Sequence, residues 1–199
     1  VEGLSRLIAG EAANVVLADF VARDAGQSVR QAHMIDTNGR IAQHTGADCV
    51  PWAGHASAPD VSAAGNMLTG PAVVEDTLQA YLDAADQPFA MRLMTAMQAG
   101  EDAGGDKRGR QAAGLLIHKG QPYPALDLRV DDHSDPLSEL RRLMAVADER
   151  LKFFSMGLAT TENFSGMTDR TPIDAAIAED EARRKRDGIV SQSHATPLV

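Results

Sequence analysis

Apolar positions recur every three or four residues at the start of the chain, then every second residue, and that switch frames the fold. Leu4, Leu7 and Ile8 mark a short helical face that ends at Gly10. Val15, Leu17, Ala18, Phe20 and Val21 mark a second helix closed by Asp24-Ala25-Gly26, with a period near 3.6. From Val29 to Asp36 the pattern is that of a strand, with Val29, Gln31, His33 and Ile35 on one face and Arg30, Ala32 and Met34 on the other. Asn38-Gly39 predicts a type I′ hairpin turn, and Arg40 to Thr45 is the returning strand. Gly46 to His55 has no period and is expected to be a loop; within Val61 to Leu68 a short strand is expected, ending in Gly65-Asn66.

Thr69-Gly70-Pro71 then opens a helix through Val73, Val74, Leu78, Tyr81 and Leu82, with proline near the first turn. Pro88 restarts a helix through Met91, Leu93, Met94 and Met97, a stripe that suits core packing. A glycine-rich charged loop leads to a strand around Ala112 to Ile117, and Leu126 to Val130 alternates as another. Asp135-Pro136 opens a helix through Leu137, Leu140, Leu143 and Leu151. Beyond Phe153 the chain turns to Gly, Thr, Ser and Asn, then forms a polar helix from Ile173 to Arg186 with acids first and bases last. Ser191 to Val199 has no pattern and is expected to be unstructured. Helices mixed with hairpins predict an α+β fold with helices on antiparallel sheet. The expected division is a main domain over 1–152 and a C-terminal extension over 153–199, partly helical or disordered, that could wrap a partner subunit.

Composition narrows the function. The 199 residues are 44% hydrophobic, enough for a core, and carry a formal net charge of -9, which argues against nucleic acid as a partner. A single cysteine, Cys49, excludes an internal disulfide framework and fits a reducing, cytoplasmic compartment. No apolar run approaches the roughly 18 residues of a membrane span, and no signal peptide is visible.

The stretch with most chemical interest is Met97 to His118, where Gly104, Gly105 and Gly109 bracket Asp106, Lys107 and Arg108 at the mouth of a strand. Arg110 and Gln111 follow at once. His55 sits after glycine in a loop beside Trp52, a packing anchor or a wall of a site. Asn66, after Gly65 at a strand end, is either an oxyanion donor or a turn former. Asp131-Asp132-His133 offers metal-type ligands without a third partner at metal spacing, or a helix cap. No metal or cofactor is expected.

These residues occur in a familiar order. Val29-Arg30-Gln31, Asp36, Gly39-Arg40, Thr45-Gly46, Cys49, Trp52-Ala53-Gly54-His55, Gly65-Asn66-Met67-Leu68, Ala103 to Gln111, Asp127 to His133 and Asp135-Pro136 together resemble the DUF1028 family, over about Glu2 to Arg150. The resemblance implies the N-terminal nucleophile (Ntn) hydrolase architecture, a four-layer αββα sandwich of two stacked antiparallel sheets. It also implies an amidohydrolase acting on a small amide or peptide-like substrate, in which an N-terminal Thr, Ser or Cys attacks and its own α-amine is the base. On that reading Asn66, Asp106 and Arg108 are catalytic, and His55, Trp52, Arg110 and Gln111 bind substrate. Val1 has no hydroxyl or thiol, so the nucleophile is expected in a segment preceding it. Ala112 and Ala64 stand where the family often has Ser and Gln. The alternative is a non-catalytic binding or assembly protein of the same fold; a homo-oligomer, a dimer, is expected in either case.

Overall fold

The computed structural model describes residues 2–195. They divide between Arg110 and Gln111 into two units. Mixed helices and antiparallel strands fill both, as the periodicities predict.

The first unit opens with helices α1 (Glu2–Ile8) and α2 (Ala13–Arg23), followed by the hairpin of β1 (Gln31–Ile35) and β2 (Ile41–Thr45). Alternation decides how this hairpin is used. Ala32, Met34 and Ala42 pack with Leu7, Ala13, Leu17 and Val21 under α2. Gln31, His33, Gln43 and Thr45 fall on the other face. A second hairpin, β3 (Gly54–Ala58) with β4 (Val61–Gly65), lies against that polar face. Helix α3 (Ala72–Asp83) covers the second hairpin, and α4 (Phe89–Asp102) packs along α3. Gly100 permits the helix crossing, because a Cβ there would lie 2.3 Å from Thr77 Oγ1. Met94 is fully buried, so the methionine stripe is core.

The first hairpin does not turn at Asn38-Gly39 as a type I′ loop. Of the two residues only Gly39 has positive φ, and the loop spans five residues closed by Asp36. The Asp36 carboxylate accepts the N–H groups of Asn38, Arg40 and Ala13 and the Arg40 Nε. One side chain thus closes the hairpin and holds the N-terminus of α2. Burial opposes its ionisation, but these donors prevail and hold the carboxyl near a pKa of about 2. The expected loop over Gly46 to His55 gives way at its end to β3, whose Gly-His-Ala-Ser-Ala sequence has too little apolar contrast to announce a strand. The strand expected to end at Gly65-Asn66 ends at Gly65.

The second unit holds the hairpin of β5 (Ala113–His118) and β6 (Pro124–Val130), with Leu115 and Ile117 buried on one face. Helix α5 (Pro136–Phe154) packs on both strands, and its Leu140 is fully buried. Asp135 caps α5 by accepting from Ser138 N and Oγ. Helix α6 (Thr171–Arg186) lies along α5, burying Ile173 and Ile177. Ion pairs Lys152–Asp180, Glu149–Arg184 and Arg150–Glu181 bind the two helices, so the C-terminal stretch is ordered there. Residues 191–195 carry no regular structure; Val1 and the remainder of the tail, 196–199, lie outside the described residues. The strands of the described residues form three two-stranded antiparallel sheets. No helix among the described residues is long and apolar enough to cross a membrane.

Candidate functional site

The polar face between the two hairpins of the first unit is organised by Gln31. Its Nε2 lies 3.0 Å from Gly54 O and 2.9 Å from Gly65 O, the carbonyls of a residue pair that face each other across β3 and β4. A carbonyl only accepts, so this atom is the amide nitrogen and Oε1 is fixed as the acceptor. Asn66 Nδ2 donates to that Oε1 at 3.3 Å. Gln31 Nε2 also reaches Thr45 Oγ1 at 3.0 Å, and Thr45 Oγ1 lies 2.8 Å from His55 Nδ1. Gln31, Thr45, His55 and Asn66 thus form one connected cluster, with Asn66 exposed at its rim.

Two loops meet beside Asn66. Leu68 N and O pair with Trp52 O and N, so the Trp52 segment runs alongside. The Trp52 ring covers Gly54, where a Cβ would come within 2.2 Å of it. Met67 sits between these contacts with φ of 58°, a left-handed conformation rare for its residue type. It is held there by its N–H to Val50 O and by Lys107 N–H to its own carbonyl. The 104–109 loop docks on the same segment: Leu68 bridges Asp106, Thr69 N–H donates to Gly105 O, and Lys107 Nζ donates to Pro51 O. Strain of this kind persists only where the surroundings over-determine the backbone, which is common at binding sites.

Within the loop, Asp106 Oδ1 accepts the Arg108 backbone N–H at 2.8 Å, and its carboxylate takes Arg108 Nε and Nη2 in a two-pronged pair. The Arg108 side-chain and backbone donors hold the Asp106 carboxyl down to about 2. Asp106 therefore stays ionised and orients; it does not shuttle protons near neutrality. Arg108 remains 65% exposed, with its other guanidinium edge toward solvent. Arg110 reaches back to Glu101 on α4 at 3.2 Å. Gln111 begins the second unit, where its carbonyl accepts His133 N–H.

Of the residues singled out by sequence, the structure brings Trp52, His55, Asn66, Asp106 and Arg108 to one end of the first unit. Cys49 is half-buried and donates to Arg30 O. His133 Nδ1 accepts Asp135 N–H, beside the α5 cap. Among the described residues no group of three or more His, Cys, Asp or Glu is placed to hold a metal. Sequence reasoning missed Gln31 and Thr45 as site members, and it missed Gln43, which faces the same side of the hairpin. The available signal was two glutamines on the strand face opposite the apolar one.

Comparison with known proteins gives a consistent picture. The model of the DUF1028 family, described as a family of unknown function, matches residues 1–140. A crystal structure of a DUF1028 protein from Silicibacter pomeroyi is similar to this chain, with a TM-score of 0.75 and 26% identity over 84% of this chain and 75% of that one. No curated protein matches.

Proposed function

Because the chain belongs to the DUF1028 family, we propose that its hairpin cluster is the site of an Ntn-type amidohydrolase for a small amide or peptide-like substrate. The observation that carries this reading is the junction of Asn66 with Gln31, Thr45 and His55 beside the docked 104–109 loop. The succession of helix, hairpin, hairpin and helix in the first unit supports it, since a four-layer αββα sandwich would extend just those layers.

The nucleophile on this reading is an N-terminal Thr, Ser or Cys outside residues 1–199. Its hydroxyl or thiol attacks the amide carbon, and its α-amine, titrating near neutrality, takes the proton. Asn66 has its amide plane set by Gln31 and donates an N–H to the developing oxyanion. The proton then passes to the departing amine, and water releases the acyl group. His55 and Trp52 line the site, and Arg108 presents its free guanidinium edge to an anionic substrate group, steadied by Asp106.

A second reading, a binding or assembly protein without catalysis, draws on the same pair: Asp106 and Arg108 satisfy each other, as they would in a purely structural loop. The two separate on protein purified from its native source. Intact mass and N-terminal sequencing are combined with turnover of a panel of small amides. An N-terminal Thr, Ser or Cys with amide turnover, reduced roughly 10²-fold or more by Asn66→Ala, is the expected result. A native chain with no such N-terminus and no turnover establishes the binding reading instead.

A further inference from the structure

Two residues along β1 and β2 from the Gln31–Thr45 pair, His33 faces Gln43 across the hairpin. A separate hydroxyl–imidazole pair forms there. His33 Nδ1 lies 2.7 Å from Ser62 Oγ on β4. Gln43 Nε2 lies 3.0 Å from the same Oγ and 3.0 Å from Ala56 O. Since Ala56 O only accepts, Nε2 is the nitrogen, and its second hydrogen goes to the serine oxygen at 3.0 Å in preference to the Ala63 carbonyl at 3.5 Å. A donor on that side leaves the hydroxyl's own hydrogen for the ring nitrogen on the other. This is the arrangement of a nucleophile with a base in reach of its proton.

The pair opens on a cavity of about 260 Å³ walled by Ile35, Tyr81, Phe89 and Leu93, with Asp60 its one acidic lining residue. Phe89 is 52% exposed and Ile35 45%, so an apolar surface lies uncovered beside the serine. Arg92 lies 3.7 Å from the Tyr81 ring centroid and donates to the Tyr81 carbonyl, which fixes that wall. A half-buried hydroxyl, an exposed imidazole and a small apolar recess are what a short acyl chain with a reactive carbonyl requires.

We propose that Ser62 and His33 form a nucleophile–base pair that accepts short apolar acyl groups from esters, a site additional to the amidohydrolase cluster. Ser62 Oγ attacks the ester carbonyl carbon while its proton moves to His33 Nδ1. The tetrahedral adduct collapses with cleavage of the bond to the alcohol oxygen, and His33 returns the proton to that alcohol. Water then hydrolyses the Ser62 ester by the reverse route, its proton again taken by His33, releasing the carboxylic acid and the free hydroxyl.

The test treats the 199-residue chain with an alkyl fluorophosphonate, whose phosphorus takes the same attack with loss of fluoride, and in parallel with p-nitrophenyl butyrate. Expected is one adduct by intact mass, mapped by digestion to the peptide containing Ser62. His33→Gln is expected to slow labelling by roughly 10²-fold, with far-UV circular dichroism and Trp52 fluorescence unchanged. Ester release is expected to favour butyrate over acetate, and Phe89→Ser to erase that preference. An adduct on any residue other than Ser62, no adduct at all, or equal labelling of the His33→Gln variant overturns the proposal. Mapping on the unaltered chain decides the question even where His33→Gln does not fold.

Discussion

Gln31 holds the two hairpins of the first unit together through bonds that can be altered one sign at a time. Gln31→Leu keeps most of the volume and removes the two hydrogens that Nε2 shares among Gly54 O, Gly65 O and Thr45 Oγ1, together with the bond received from Asn66. At about 1 kcal/mol net for each neutral bond, and less for the exposed Asn66 contact, the expected loss is roughly 2–3 kcal/mol. Gln31→Glu is expected to be worse at neutral pH. It sets a carboxylate oxygen against two carbonyl oxygens that were receiving hydrogens, adding about 1 kcal/mol or more to the deficit. The sign with pH follows. The protonated acid can still donate to one carbonyl, so the folded state binds its proton more tightly than the unfolded state, and this variant loses stability as pH rises through the carboxylate range. Urea unfolding followed by Trp52 fluorescence reads the first unit directly, since Trp52 packs over Gly54 at the cluster. Equal stability of the two variants at pH 7, with no difference in their pH dependence, would refute the assignment of the Gln31 amide and the role given to it.

Asp36, Asp106 and Asp180 have carboxyls depressed from 3.8 to about 2, so they contribute stability above the ordinary carboxylate range that is lost as pH falls from about 4 to about 2. An acid titration by circular dichroism should show that slope, and Asp36→Asn should flatten it; an unchanged profile would remove Asp36 from the account. Gly46→Ala should cost roughly 3 kcal/mol or more, because its Cβ would meet the backbone oxygens of Ser28 and Gln27 at 2.2 and 2.4 Å, which no rotamer relieves; wild-type thermal stability would contradict it. Leu140→Ala should destabilise by about 2–5 kcal/mol in chemical denaturation, since its side chain is fully buried between α5 and its neighbours, and a loss under 1 kcal/mol would argue against that core.

Much of the architecture was legible from local pattern. The periodicity of Val15 to Val21 required a helix, and the alternation from Gln31 to Ile35 required a strand with Ala32 and Met34 on one face; that this face meets α2 is a result of packing. Pro71, Pro88 and Asp135 set helix starts, as their fixed φ and short polar side chain dictate. Where local signal was weak, local reasoning stopped. Gly54 to Ala58 is a strand because β4 and Gln43 satisfy its backbone groups, a cause that lies some distance away in the sequence. The turn at Asn38-Gly39 was set by Asp36, whose carboxylate also needed Ala13 of α2.

The same division holds at the site. The residue types are readable along the chain: a glycine-bracketed Asp106 and Arg108, an Asn66 after glycine, a His55 beside Trp52. The packing of the hairpins placed Gln31 to orient Asn66 and brought Ser62 to His33. Helical and strand periods are written in neighbours a few residues apart, whereas these contacts join residues 29 and 35 positions apart. Their partners are chosen by how the hairpins stack: the apolar faces on the outer sides bring the hairpins together, and the polar residues between them then tie the stack.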